Sequence, residues 1–146
     1  MKLHQLSLFL ENRTGQLAAP CGALARAGVD ILTLSLADTA QFGILRLVVR
    51  EWERAKAVLE KAGMVVNVTE VVAVEVEDRP GGLAGVLELV EKAGLGIEYL
   101  YAFARGSRNG KAALIFRFEK PDAALELLRQ RGVRVLEAEE ILSGMG

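Results

Sequence analysis

Apolar residues recur along the chain with two alternating periods, one typical of strands and one typical of helices. Leu6, Leu8 and Leu10 fall at every second position, which predicts a β-strand with one buried face. Apolar residues then recur at helical spacing from Leu17, and Gly28 follows as a residue suited to end that helix. The remaining predictions for the first half are strands over 31–36, 44–49 and 65–69 and a helix over 52–62.

The second half repeats this order of elements. The predicted strands cover 71–76, 97–103, 112–118 and 133–136, and the predicted helices cover 83–93 and a segment that opens at Pro121. In the ferredoxin-like split βαβ pattern, elements in this order place two helices on one face of a four-stranded antiparallel sheet. The chain is therefore predicted to be an α+β protein of two tandem ferredoxin-like βαββαβ units.

One segment of the sequence is duplicated almost directly. Glu-Asn-Arg-Thr-Gly-Gln-Leu-Ala at residues 11–18 recurs as Glu-Asp-Arg-Pro-Gly-Gly-Leu-Ala at 77–84, with five of the eight residues identical. The spacing of 66 residues exceeds the ~20–50 residues of most structural repeats, and it fits a whole small domain. We therefore predict two domains, residues 1–69 and 70–146. No linker rich in Pro, Gly or Ser separates them, so we expect them to be rigidly coupled.

Pro20 conflicts with the first predicted helix, because a proline in a helix interior removes a hydrogen bond. The second copy has Val86 at the same position, which a regular helix accepts. Either the first helix starts late, near Leu17, or its opening turn is distorted. The two duplicated turns are therefore not expected to be equivalent as binding sites.

The composition narrows the class of protein. The chain has 146 residues, of which 51% are hydrophobic and 25% charged, as in a globular protein. Its net charge of −1 provides no positive surface for nucleic acid, and the cluster Arg105, Arg108 and Lys111 is interpreted as a solvated loop. No segment approaches the ~20 apolar residues of a membrane span. A single cysteine excludes intramolecular disulfides, so we expect a cytoplasmic protein with no membrane partner.

No catalytic or metal-binding pattern is found. His4 has no neighbouring cysteine or histidine, and Cys21 lies on the apolar helix face without a histidine to activate it. The carboxylates of Glu137, Glu139 and Glu140 are assigned to a solvated edge. The aromatic side chains of Tyr99, Tyr101 and Phe103 are assigned to packing. We therefore predict no catalytic residues, no metal and no cofactor, and we do not expect an enzyme.

The duplicated turn is the strongest candidate for a binding site. A helix N-terminus exposes unpaired N–H groups and a partial positive charge, which favour a carboxylate. Gly15 and Gly81 would let an anion approach the backbone closely. The side chains of Asn12 and Asp78 either accept a hydrogen bond from a ligand ammonium or cap the helices themselves.

These residues also carry a family resemblance. Residues 12–17 and 78–83 resemble the [ND]-R-P-G-x-L opening of ACT domains, and residues 28–31 resemble the G-[VI]-[ND]-I that starts the second strand of that family. The resemblance covers both halves of the chain. Thr14 stands where the family usually has proline, which leaves the first turn less rigid.

ACT domains are regulatory modules that bind amino acids, usually at interfaces between paired domains, and the resemblance implies the same here. The positions that match ligand contacts in the family are Asn12 and Asp30 in the first copy but Asp78 and Gly96 in the second, so the first copy is expected to bind better. The ligand carboxylate would lie at the turn amides, its ammonium near Asn12 and Asp30, and its side chain near Leu32. The candidate ligand-binding residues are Asn12, Arg13, Thr14, Gly15, Gln16, Leu17, Asp30, Ile31 and Leu32 in the first copy and Asp78, Pro80, Gly81, Gly82 and Leu83 in the second.

The resulting expectation is a free-standing sensor whose effector is a free amino acid. It would form a homodimer or higher homo-oligomer, and it would act on an enzyme or regulator in trans. Two alternatives stay open at this point. One is an interaction module that binds no ligand and oligomerises through its sheets. The other is a small enzyme of the acylphosphatase kind, for which Arg13 is the sole support.

Overall fold

The computed structural model describes residues 2–103 and 110–142, which form seven strands and five helices. In chain order these are β1 (Lys2–Glu11), α1 (Ala18–Arg26), β2 (Ile31–Asp38), β3 (Phe42–Val49), α2 (Trp52–Lys61), β4 (Asn67–Glu77), α3 (Gly82–Lys92), β5 (Ile97–Ala102), β6 (Lys111–Phe118), α4 (Pro121–Gln130), β7 (Val135–Leu136) and α5 (Ala138–Leu142). Most of the predicted hairpin loop, including Arg105 and Arg108, lies outside the described residues.

The chain divides into two compact units. The first unit holds residues 4–69, and the second holds Lys2, Leu3 and the described residues from Glu70 onward. The Lys2 Nζ atom lies 2.9 Å from Asp122 Oδ1 and 3.6 Å from Glu70 Oε2, both in the second unit. The start of β1 therefore belongs with the second half of the chain, which the repeat did not predict.

In the first unit, β3 lies between β1 and β2 and is antiparallel to both. Leu45 is paired with Leu8 on one side and with Leu36 on the other. Alternate residues of β1 and β3 form a core with α1 and α2 that includes Leu6, Leu8, Leu10, Leu24, Leu45, Leu47, Ala55 and Leu59. At the start of α2, the Trp52 indole stacks on the His4 imidazole, with the ring centroids 4.4 Å apart.

In the second unit, β4 lies between β6 and β7, and β5 lies outside β6. All of these pairings are antiparallel. The core combines β4 and β6 with α3 and α4 through Val72, Val74, Val76, Val86, Val90, Phe116, Phe118, Ala124 and Leu128. The second half thus repeats the architecture of the first, as the repeated sequence predicted.

The junction between the halves differs from the prediction. Residues 65–69 and 71–76 were expected to form two strands, but residues 67–77 form the single strand β4. Thr69, Glu70 and Val71, where the two expected strands meet, include neither glycine nor proline, so no residue there ends the strand. The described residues therefore contain seven strands instead of eight, and the first unit holds only the first three residues of β4.

The two duplicated turns share one backbone feature and then diverge. Gly15 and Gly81 have φ angles of 91° and 90°, the left-handed conformation that favours glycine. In the second copy α3 begins at once, at Gly82, whereas α1 begins at Ala18, two positions later in the repeat. Of the two alternatives raised by Pro20, the late start is the one observed. The Ala19 N–H still donates to the Gly15 carbonyl at 3.2 Å, but Pro20 has no N–H for the Gln16 carbonyl, so the regular helix begins only at Ala18.

Steric contact makes glycine necessary at one position of the second turn, whereas the late start of α1 follows from Pro20. A Cβ on Gly82 would lie 1.9 Å from the Glu77 carbonyl oxygen, so α3 reaches its position only because residue 82 has no side chain. The equivalent residue of the first copy is Gln16, which has a Cβ. The two turns nevertheless make the same backbone bonds, because the N–H groups of Gln16 and Ala19 donate to Arg13 and Gly15 as those of Gly82 and Gly85 donate to Arg79 and Gly81.

We expect Gly82→Ala to destabilise the protein by about 1–3 kcal/mol, as overpacked substitutions do. Gly85→Ala is the matched control within the same helix, because a Cβ at Gly85 would meet nothing within 4 Å. Alanine is the better helix former, so the control should be neutral or stabilising by up to about 1 kcal/mol. Urea unfolding measures both, and equal effects of the two substitutions would contradict the steric explanation.

Candidate functional site

The turn of the first unit is tied to the hairpin loop between β2 and β3. The Asn12 N–H donates to the Gln41 carbonyl at 2.9 Å, and the Asn12 Nδ2 donates to the Ala40 carbonyl at 3.4 Å. The second unit has the same backbone bond, from Asp78 N–H to the Gly110 carbonyl at 2.8 Å. The Asn12 side chain therefore anchors the turn instead of capping α1, and its Oδ1 atom is left as an acceptor.

The amides of the turn are only partly used. The Gln16 N–H donates to the Arg13 carbonyl at 3.3 Å, which removes one of the three amides expected to hold a ligand carboxylate. Within the described part of the chain, the amides of Gly15 and Leu17 donate to no acceptor. The first turn of α1 contains no acidic residue and no side-chain cap, so its partial positive charge is not compensated locally.

A cleft of about 240 Å³ opens beside these amides, and we call it the turn cleft. Its lining residues are Leu10, Glu11, Asn12, Arg13, Gln16, Leu17, Leu36, Asp38 and Gly43. Four of these were predicted from the sequence, whereas the predicted Thr14 and Gly15 do not line the cleft. The Arg13 guanidinium lies 2.9 Å from the Glu11 carboxylate, which neutralises it. The cleft therefore combines apolar walls with the carboxylate of Asp38.

Asp38 and Leu36 were not predicted as site residues. They come from the end of β2, and the pairing of Asp38 with Gly43 brings this end of the hairpin next to the turn. In the sequence, Asp38 falls between the predicted strands over 31–36 and 44–49. Its approach to residues 12–17 depends on the register between β1 and β3.

The structure does not bring Asp30, Ile31 and Leu32 to the turn. Glu11 pairs with Phe42 at one end of β3, and Ile31 pairs with Val49 at the other. Seven residues of strand separate these ends by about 23 Å. Asp30 lies 3.5 Å from the Arg50 guanidinium, and Leu32 is only 2% exposed. Within one unit, a single amino acid therefore cannot contact both Asn12 and Asp30.

A second cleft of about 370 Å³ adjoins the turn cleft, and we call it the apolar cleft. Its lining residues are Leu8, Phe9, Leu10, Gln16, Ala19, Gly63, Met64 and Val65. Leu10 and Gln16 line both clefts. Phe9 is 67% exposed and Val65 is 81% exposed, so the first unit leaves large apolar side chains open to solvent.

The second unit has a cleft of about 480 Å³ at the equivalent place, which we call the charged cleft. It contains the counterparts of seven of the eight residues of the apolar cleft, but Glu75 replaces Phe9 and Arg134 replaces Val65. The Arg134 guanidinium lies 2.9 Å from the Glu75 carboxylate and 2.8 Å from the Glu140 carboxylate. Among the predicted residues of the second copy, Gly81 and Gly82 line this cleft, whereas Asp78, Pro80 and Leu83 do not.

A carboxylate that the sequence did not indicate lies at the other end of the second unit. Gly96 is the counterpart of Asp30, and Glu119 is the counterpart of Arg50. A Cβ on Gly96 would lie 2.3–2.5 Å from the carboxyl group of Glu119. The second copy therefore keeps a carboxylate near the place of Asp30, supplied by the next strand, and Gly96 provides the space for it.

The alternative chemistries receive no support from the geometry. Among residues 2–103 and 110–142, no group of three or more His, Cys, Asp and Glu side chains could hold a metal ion. Phe103 is buried and Tyr99 and Tyr101 are half-buried, so they do not form an open surface for stacking bases. The longest helix of the described residues has 11 residues, and none combines the length and hydropathy needed to cross a bilayer.

Comparisons with known proteins agree with this architecture. The crystal structure of protein BT0572 from Bacteroides thetaiotaomicron is 34% identical to this chain, with a TM-score of 0.91, and the match covers 99% of this chain and 98% of that one. The ligand-free regulatory subunit of aspartate kinase from Thermus thermophilus is 18% identical, with a TM-score of 0.62, over 87% of this chain and 91% of that one. The regulatory subunit of aspartate kinase from Thermus flavus is 19% identical, with a TM-score of 0.60, over 87% of this chain and 90% of that one. None of the curated proteins matches.

The fold and the duplicated glycine turns define a tandem pair of ferredoxin-like domains. The family model described as an ACT domain pair matches residues 1–145. The chain therefore belongs to the ACT domain family, as the resemblance of the two turns predicted.

One ion pair beside the charged cleft makes stability depend on pH. A hydrogen bond from the Lys111 ammonium holds the pKa of Glu77 below its ordinary value of 4.5. A lowered carboxyl pKa stabilises the fold above the unfolded-state value, and this contribution is lost as the pH falls through the folded-state pKa. We expect Lys111→Met to lose less stability than wild type between pH 7 and pH 3, as measured by thermal unfolding. Lys92→Met, which removes an exposed cation that forms no ion pair within the described residues, should keep the wild-type acid sensitivity.

Proposed function

We propose that this protein is a non-enzymatic regulator that binds a free amino acid in the turn cleft of its first unit. The observation that carries the proposal is the composition of that cleft. Leu17, whose amide is unpaired within the described residues, lines a cleft of about 240 Å³ together with Asp38 and the apolar Leu10 and Leu36. This volume is smaller than the ~300–1,000 Å³ of sites for drug-sized ligands, and it suits a single amino acid.

The ligand is held by charge complementarity at both of its ionised groups. Its carboxylate accepts hydrogen bonds from the amides of Gly15 and Leu17, where the start of α1 adds a partial positive charge. Its ammonium donates to the carboxylate of Asp38 and to Asn12 Oδ1. Hydrogen bonds to charged groups contribute about 1.5–3 kcal/mol each. After the costs of ordering, this supports affinities on the order of micromolar to millimolar.

A second chain is part of the proposal. Because Asp30 lies about 23 Å from the turn within the unit, it reaches the same ligand only from another copy of the protein. A homodimer or higher homo-oligomer would bring Asp30 of one chain to Asn12 of another. Binding would then favour one assembly over others, and the signal would pass in the cytoplasm to an enzyme or regulator in trans. The fold shared with regulatory subunits of aspartate kinase supports this class of role.

An interaction module that binds no ligand is the second candidate. The exposed side chains of Phe9, Phe42 and Val65 favour it, because apolar surface left open to water is typical of protein–protein contacts. Such a module would assemble normally whether or not amino acids are present.

Thermal unfolding against the twenty amino acids at millimolar concentration tests the binding. A ligand at 100 times its dissociation constant adds about 2.7 kcal/mol, which raises the midpoint by several degrees for a protein of this size. Asn12→Ala and Asp38→Asn should each reduce this rise. Asp78→Ala, the matched change in the second unit, should keep it. A panel without any response would contradict amino-acid binding and favour the interaction module.

Mixing two inactive variants tests the contribution of a second chain. If the site joins Asn12 of one chain to Asp30 of another, Asn12→Ala and Asp30→Ala should each lose ligand binding. A mixture refolded together should then regain part of it, since each mixed dimer contains one intact site. Calorimetry measures the number of sites. Binding retained by Asp30→Ala alone would show that each site lies within one chain.

A further inference from the structure

We infer that the effector is an amino acid with an apolar side chain, and that this side chain enters the apolar cleft of the first unit. This inference rests on the proposed function, because it assigns the head group of the ligand to the turn cleft. It adds the chemical class of the ligand and the residues that select it.

The two clefts are adjacent, which gives one small ligand access to both. Leu10 and Gln16 line the turn cleft and the apolar cleft alike. With the ligand carboxylate at the turn, as proposed above, we place its side chain past Gln16 in the apolar cleft. Gln16 is half-buried, and in the part of the chain that the structure describes it is the single polar residue that lines the apolar cleft.

The lining of the apolar cleft matches an uncharged hydrocarbon or thioether side chain. Leu8, Phe9 and Val65 contribute aliphatic and aromatic surface, and Met64 adds a flexible side chain that adapts to ligands of different shape. Among the described residues no charged side chain lines it, so a ligand with a charged side chain would lose hydration there without finding a partner. Its volume of about 370 Å³ falls within the ~300–1,000 Å³ range of small-molecule sites, which are mostly apolar with few polar groups.

The second unit shows that the fold does not require this apolar lining. At the same two positions it has Glu75 and Arg134, which form an ion pair at 2.9 Å on an equivalent backbone. Phe9 and Val65 are also largely exposed, so they contribute little to the core of the first unit. The fold therefore accepts charged residues at these two positions, yet the first unit has Phe9 and Val65 there. An apolar ligand in the apolar cleft explains this choice.

Exchanging these two residues tests the inference in the full chain. Phe9→Glu combined with Val65→Arg gives the first unit the ion pair of the second. Calorimetry measures the binding of eight amino acids to wild type and variant: leucine, isoleucine, methionine, phenylalanine, serine, aspartate, lysine and glycine. We expect wild type to prefer the apolar amino acids, and the variant to bind them at least tenfold more weakly. Glycine, which presents the head group alone, should bind both proteins equally.

The controls separate this inference from the proposed function. If the double variant does not fold, Val65→Arg alone is measured in its place. It changes a side chain that is 81% exposed, and it should also weaken the binding of apolar amino acids. Wild type that binds amino acids without preferring apolar ones, or a variant that keeps its preference, would overturn the inference and leave the proposed function standing. Absence of binding for every amino acid would overturn both. A variant that loses its oligomeric state by light scattering while keeping the preference would show that a second chain occupies the apolar cleft, and this too would overturn the inference.

Discussion

The residue after each turn glycine lies against the end of the preceding strand, and its side chain determines what lines the cleft there. In the second unit, Gly82 lies against the Glu77 carbonyl oxygen, and a Cβ at that position would clash with it. In the first unit the equivalent residue is Gln16, which lines both the turn cleft and the apolar cleft. The two turns make the same backbone bonds, and α1 starts two positions later because Pro20 has no N–H to donate to the Gln16 carbonyl. A single side chain thus distinguishes the clefts beside two otherwise equivalent turns.

The sequence predicted the architecture well because each half carries complete local signals. Period-two runs, helical spacing and the glycines after the helices agree with one another in both copies. The junction was the exception, since the continuous β-forming residues around Glu70 contain nothing that marks a strand end. Two strands were expected there because the first unit was expected to end with a fourth strand of its own.

The site was less predictable than the fold, because its residues come together through strand register. The motif indicated Asn12 and Arg13 directly, whereas Asp38 reaches them through the pairing of β1, β2 and β3. The same register separates Asp30 from the turn, although the two motifs that contain them belong to one family pattern. Asn12 also had two interpretations, and the helix cap is excluded because the N-cap residue of α1 is Leu17 and this end of the helix has no side-chain cap.

The stacking of Trp52 on His4 gives the two halves distinct optical signatures. The chain has a single tryptophan and two tyrosines; Trp52 lies in the first unit, and Tyr99 and Tyr101 lie in the second. Indole emission therefore originates from one unit alone, where the Trp52 ring stacks on the imidazole of His4. Two domains that share one architecture can accordingly be observed separately in the unlabelled native protein, without cutting the chain between them.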